Sequence, residues 1–353
     1  MSLDILLSGF LSCGNVSRIL IVKPSALGDV IHSLPFLNAL KVRYPLAEIH
    51  WVIARGIHEI LQDHPLIHRL WIIDKNSWKK PAHAGATLAE IRRLARAWHE
   101  ESFDMVVDLQ GLLRSGVMSA LTGSKIRLGF RESREGSSLF YSHRVTGGRD
   151  IHAVDRYLKM AAFLGCDILD IRHPFPPLPP AAGLIPVREA HYAVMAPAAG
   201  TQVKRWPPAR FGELASKLSL PSLIIGGKSD TALAQAVVDA SRGAAESLAG
   251  RLTLKELAAV IKGSQFMVCN DTGPMHMAAA LGVPVFALFG PTNPARTGPY
   301  GKIHTVIRAG VPCSPCYRRK PCKDWRCMTA IGVDDVLESI HDSALKSTLV
   351  RCS

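Results

Sequence analysis

Several features are scarce in this chain, and each absence excludes something. No apolar run is long enough to span a bilayer. No block of consecutive Lys or Arg marks a nucleic-acid tail, and no RNA- or DNA-binding signature is present. Aromatic residues make up only 7%, too few for a base-stacking platform, so nucleic acid is not an expected partner. The opening stretch "MSLDILLSGFLSCGNVS" lacks a basic n-region and has Asp4 where a signal peptide would carry Lys or Arg. It reads as an N-terminal extension, residues 1–17, of a cytoplasmic protein whose eight cysteines stay reduced. There is no GxGxxG fingerprint. "IIGGKSDT" holds a Gly227-Lys228 pair, but Ser222 stands where a P-loop needs its first glycine.

What is present reads as a two-domain enzyme. The 353 residues exceed what one core usually serves. Hydrophobic residues at 48% and charged residues at 20% are ordinary for a globular fold. A formal net charge of +13 favours an anionic partner, although charge alone is also met by a merely basic surface. Strand-like runs ("ILIV", "EIHWVIA", "LWIID", "FDMVVDLQG") alternate with helical ones, including a single helix over 29–43. This alternation predicts an α/β fold with a parallel sheet covered on both faces. The proline density of "DIRHPFPPLPPAAGLIP" predicts a linker, placed at 172–190. The domains then fall at 18–171 and 191–332, with a closing helix at 333–353. Two doubly wound domains around a cleft are expected, with ligands beyond the carboxyl ends of the strands.

Six segments carry candidate chemistry. In "VCNDTGPMHMAAALG" a strand delivers Asn270, Asp271, Thr272 and Gly273 to a helix start, with Pro274 in its first turn. Exposed N–H groups and the helix dipole there suit an anion, with Thr272 as a further donor; the bland alternative is a capped turn. Asp271 is better suited to ordering the loop than to meeting an anion, and His276 follows on the first turn. The loop "PAAGTQVKRWPP" places Lys204 and Arg205 between a strand end and a helix, a place suited to neutralising a phosphate; a solvated basic loop is the other reading. Asp230, past another strand end, suits the hydroxyls of a ribose. In "KPSALGDVIH", Asp29 opens a helix after Ser25 and Gly28, as an N-cap or as a general base. Asp108, Gln110 and Arg114 come to a further strand end, followed by a stretch with Arg127, Arg131, Arg134 and Tyr141 that is either suited to an acidic, hydroxylated ligand or a basic surface loop. Finally, Cys313, Cys316, Cys322 and Cys327 lie within fifteen residues, which is the ligand count for zinc; reduced free thiols are the other reading.

Five stretches taken in order, "KPSALGDVIHSLP", "VDLQGLLRSG", "VKRWP", "NDTGPMHMAAALGVPVFALFGPTNP" and "CSPC", resemble the ADP-heptose:lipopolysaccharide heptosyltransferases of glycosyltransferase family 9. The likeness runs from about Arg18 to the last helix. "SREGSSLFYSHR" and "IHAVDRY" look closer to the heptosyltransferase I branch, and the cysteine loop to the second branch. The resemblance implies a GT-B fold, with acceptor on the first domain and nucleotide sugar on the second. It implies Asp29 as catalytic base and Lys204 as the cation on the donor diphosphate. Donor-binding residues would be Thr201, Lys204, Asp230, Asp271, Thr272, Gly273 and His276; acceptor-binding residues would be Ser25, Gly28, Gln110, Arg114 and Arg134. The expected partners are ADP-heptose, a Kdo-bearing lipid A or related core, and the inner leaflet as a peripheral surface. No D-x-D triplet occurs, which fits a transferase that requires no cofactor and uses protein cations in place of a metal. Other readings are a later heptose addition, another donor sugar, a nucleotide-sugar epimerase, or a non-catalytic nucleotide-sugar-binding protein.

Overall fold

Each half of the chain builds its own six-stranded, all-parallel sheet. The computed structural model describes residues 16–75, 78, 84–186, 191–320 and 322–351. Of the expected N-terminal extension, 1–15 lie outside the described residues. The chain divides into Met1–Pro177 and Leu178–Ser353, a break inside the proline-rich stretch.

The first unit contains β1 (Arg18–Val22), β2 (Glu48–Ala54), β3 (Arg69–Ile73), β4 (Met105–Asp108), β5 (Ile126–Phe130) and β6 (His143–Val145). Their order is β3-β2-β1-β4-β5-β6. In β1 the apolar run Ile19–Leu20–Ile21–Val22 is fully buried, because helices cover both faces of a parallel sheet. The second unit contains β7 (Ala193–Ala196), β8 (Ser222–Ile224), β9 (Ala245–Ser247), β10 (Phe266–Asn270), β11 (Val285–Leu288) and β12 (Thr305–Ile307). Their order is β12-β11-β10-β7-β8-β9. The closing helix Val333–Arg351 is part of this unit, with Val336 and Ile340 in its core beside Trp206 and Phe211.

Both sheets reverse winding direction once, between β1 and β4 in the first unit and between β7 and β10 in the second. At such a switch point the two flanking loops diverge and leave a crevice at the strand carboxyl ends. The loops after β1, β4, β7 and β10 are those that carry most of the candidate residues.

Three expectations need correction. The helix over 29–43 is two helices, Leu27–His32 and Leu34–Arg43. Pro35 has no N–H and its ring would meet the carbonyl of Ile31, so one helix stops and another starts. The Ser33 hydroxyl closes the break by donating to Val30 O at 2.7 Å. The arginine-rich stretch after 125 is not one loop, because it contains β5 and β6. Arg127 lies in β5 and its guanidinium donates to Phe140 O at 2.7 Å and to Ser124 O, so it is spent on the protein's own carbonyls. Tyr141 is also structural. It is buried, and its hydroxyl donates to Asp108 Oδ2 at 2.6 Å. Gly129 is what makes room for it, since a Cβ there would stand 2.1 Å from the Tyr141 ring.

Candidate functional site

In the first unit the crevice between β1 and β4 is organised by two buried ionisable groups, Asp108 and Lys23. Asp108 ends β4 with no exposed surface. Its Oδ1 accepts the N–H groups of Gln110 (2.8 Å) and Gly111 (3.0 Å), fixing the turn that leads to Arg114. Burial pushes the Asp108 carboxyl up, and the bonds from Tyr141, Ser115 and these N–H groups work against that shift. Gln110 in turn accepts the Ser25 N–H at 3.3 Å and so ties the β4 turn to the β1 loop. Gly28 is buried in the first turn of Leu27–His32.

Asp29 does not open that helix. The N-cap is Ala26, and Asp29 sits three residues on, reaching back so that its Oδ2 accepts the Ala26 N–H at 3.1 Å. The same oxygen lies 3.9 Å from Lys23 Nζ. Among the described residues Oδ1 has no partner, and 44% of the side chain is exposed. One oxygen is therefore anchored and the other is free to take a proton. Arg114, Arg131 and Arg134 are exposed, and their guanidinium groups make no hydrogen bond or ion pair among the described residues.

In the second unit a matching cluster bridges β7 and β10. Lys204 Nζ donates to Asp271 Oδ2 at 2.5 Å, and Thr292 Oγ1 donates to the same oxygen at 2.8 Å. Asp271 is 8% exposed, so its charge is turned inward and serves to hold Lys204 at the strand ends. Arg205, by contrast, is spent on Ala199 O. Thr201 Oγ1 is buried with no hydrogen-bond partner among the described residues, in the same loop. Thr272 is the N-cap of Gly273–Ala280, yet its side chain makes no capping bond. Among the described residues its hydroxyl makes no hydrogen bond, and the Gly273 and Met275 N–H groups, either side of Pro274, lie in the first turn where no carbonyl of the helix can reach them. His276 is buried on that helix. Asp230 accepts the Gly227 N–H at 2.9 Å and so closes its own turn after β8.

Asn270 holds this cluster together. It is fully buried, its Oδ1 accepts the Trp206 N–H at 3.0 Å, and its amide donates to Pro197 O at 2.8 Å. Asn270→Ala leaves two buried backbone groups without partners and is expected to cost on the order of 3 kcal/mol. Urea unfolding followed by circular dichroism would read this as a lowered midpoint with an unchanged slope.

The cysteine loop does not gather its thiols as a metal centre would. Cys313 and Cys316 are exposed, Cys327 is buried, and all four are free. No three of their sulfurs lie within 4.8 Å of one another among the described residues. Burial, then Cys316, Cys322 and Cys313 nearby, push the Cys327 thiol up. The described group whose ligand atoms do converge is Glu48, His50 and His68. Its chemistry is poor for a metal. Trp71 Nε1 donates to His50 Nδ1 at 3.2 Å, so the neutral ring carries its proton on Nε2 and offers an N–H there. Burial pushes His50 down to about 4 and keeps that neutral form.

Lys23, Thr292 and the bonding roles of Asn270 and Asp108 escape a reading by motif. Lys23 had one available signal: a lysine directly after four apolar strand residues is carried into the sheet's carboxyl end.

The sequence pattern of glycosyltransferase family 9 (heptosyltransferase) matches residues 91–325. Lipopolysaccharide heptosyltransferase 1 of Pseudomonas aeruginosa is 33% identical over 318 residues, 86% of each chain. The solved Escherichia coli heptosyltransferase WaaC with ADP is 26% identical, with a TM-score of 0.73 over 92% of this chain and 99% of that one. A glycosyl transferase family 9 structure from Veillonella parvula, at 22% identity, shares the fold with a TM-score of 0.81 over 94% of this chain and 98% of the other. Two doubly wound parallel sheets, each with its polar cluster at the winding reversal, together with these matches identify a GT-B enzyme: the chain belongs to glycosyltransferase family 9.

Proposed function

We propose that this transferase moves a heptose from ADP-heptose to the Kdo-bearing inner core of lipopolysaccharide, with inversion and without a metal. The observation that carries the reading is the Asp29 carboxylate, anchored through Oδ2 and open at Oδ1 at a winding reversal. The relative at 33% identity bears the name lipopolysaccharide heptosyltransferase 1, and a similar solved structure holds ADP.

In this reading the first unit takes the acceptor. Arg114, Arg131 and Arg134, none of them committed among the described residues, meet its carboxylate and phosphate groups. Asp29 Oδ1 removes the proton from an acceptor hydroxyl. That oxygen bonds to the anomeric carbon as the bond from this carbon to the diphosphate oxygen breaks on the opposite face. ADP leaves with the electron pair. The second unit holds the donor, where Lys204, the Thr201 and Thr272 hydroxyls and the N–H groups at the start of Gly273–Ala280 meet the charge that gathers on the diphosphate. These groups stand where a D-x-D triplet and its metal would serve other transferases. Asp230 remains the candidate for the ribose. The protein works from the cytoplasmic side, peripheral to the inner leaflet. No helix among the described residues is long and apolar enough to cross a membrane, and the net charge of +13 suits an anionic surface.

The test is transfer from ADP-heptose to Kdo2–lipid A by purified protein with EDTA present, read by mass spectrometry. A gain of one heptose is expected. No gain with ADP still bound would replace the acceptor by a heptosylated core or the donor by another sugar. Conversion of the free nucleotide sugar without any acceptor would mean an epimerase.

A further inference from the structure

Lys23 follows directly on β1, and its side chain is 3% exposed. A lysine so deep needs acceptors. Its Nζ donates to Leu109 O at 3.2 Å, in the turn after β4. It lies 5.2 Å from the centre of the Tyr157 ring, in the helix Ala153–Phe163, with the tyrosine hydroxyl as a polar neighbour. Asp29 Oδ2 is 3.9 Å away. Burial alone would push this ammonium down, but Tyr157, Asp29 and Asp108 more than offset that and hold it above the ordinary lysine value. The charged and titratable groups facing Lys23 besides Asp29 are Asp108 from β4 and Tyr157 from the helix, with Arg156 acting on Tyr157 in turn.

Stability does not call for a cation here, since apolar packing commonly replaces a buried ion pair at no loss. The pair is also asymmetric. Lys23 is sealed inside the unit, whereas the Asp29 side chain is nearly half exposed and its Oδ1 has no partner among the described residues. We propose that Lys23 is a positioning residue for transfer: its buried ammonium, together with the Ala26 N–H, fixes Oδ2 of Asp29 so that Oδ1 faces the acceptor hydroxyl. This rests on the reading of Asp29 as the base. Lys23 reaches no substrate itself and acts through the carboxylate. Without it, one backbone N–H is the remaining anchor of a half-exposed aspartate, whose rotamers then compete with the productive one.

Lys23→Met is expected to lower kcat on the order of 10- to 100-fold, with KM for ADP-heptose and for the acceptor within about threefold of the parent. Lys23→Arg restores a cation behind Asp29 and should recover part of the loss. Tyr157→Phe removes a polar neighbour of Lys23 while keeping the ring, and should lower kcat by a smaller factor; it serves if Lys23→Met does not fold. An unchanged kcat in a folded Lys23→Met, or in Tyr157→Phe where only that variant folds, overturns the proposal. So does a parallel fall of kcat, ADP affinity and melting temperature that arginine does not rescue, because that pattern is structural. Asp29→Asn, assayed alongside, separates the two ideas. If it keeps its transfer rate, the base reading fails irrespective of Lys23; if it loses transfer while Lys23→Met does not, only the positioning role fails.

Discussion

Asp29→Asn is expected to lower kcat for heptosyl transfer by roughly 10²–10⁴-fold, the usual contribution of a positioned general base, while ADP affinity stays within about twofold. Asparagine is the sharper replacement because of what the carboxylate does in the resting protein. Oδ2 accepts the Ala26 N–H at the start of Leu27–His32, and the amide oxygen of asparagine can keep that bond. What asparagine cannot do is take a proton at the other position. Asp29→Ala loses both functions, so it should show the same kinetic defect plus a small loss of stability, about 0.5–2 kcal/mol on the scale of a lost helix cap. ADP affinity is insensitive to either change because the groups assigned to the donor belong to the second unit. Rapid-quench transfer assays and ADP titration calorimetry on both variants check this. An asparagine variant that transfers at the parent rate reduces Asp29 to a helix-end residue and leaves the chemistry to another group.

The two clusters were unequally legible in the sequence. Strands buried on both faces read as apolar runs, so the positions after β1, β4, β7 and β10 were identifiable as strand ends without coordinates. Gly273 and Pro274 likewise marked a helix start. The pairing that gives these places meaning was not legible. Nothing local in "VKRWP" says that Lys204 will meet Asp271, because that contact depends on β7 and β10 lying side by side. Asp29 shows the limit of local rules, since a carboxylate just before an apolar helical run reads as an N-cap, yet the helix begins two residues earlier and Asp29 caps it from within. Pro35, by contrast, carries the division of the 29–43 helix in its own chemistry, since it lacks the N–H that a continuous helix needs there. Arg127 and Arg134 differ already in their neighbours, since the first stands between Ile126 and Leu128 in β5, with its guanidinium on Ser124 O and Phe140 O, and the second among Ser133, Glu135 and Gly136, exposed after the strand.

Lys204→Ala is expected to reduce kcat/KM for ADP-heptose by roughly 10²–10³-fold, the cost of removing one donor aimed at developing charge. Interpretation is complicated by the resting partner. Removing the lysine strands Asp271, which is 8% exposed, with the Thr292 hydroxyl as the one remaining partner of Oδ2 among the described residues. Breaking a fully buried pair costs about 3–5 kcal/mol; here the Lys204 side chain is 25% exposed, so water reaches the site and the loss should be smaller. The single variant therefore confounds a missing cation with a loosened loop. Adding Asp271→Asn separates them, since it removes the stranded charge while keeping an oxygen for Thr292. The double variant should regain most of the melting temperature and little of the transfer rate, because the diphosphate still lacks its cation. If the double variant transfers as fast as the parent, Lys204 serves only to neutralise Asp271, and charge on the departing ADP must be met by the hydroxyl and N–H groups of Thr201, Thr272 and Gly273 alone.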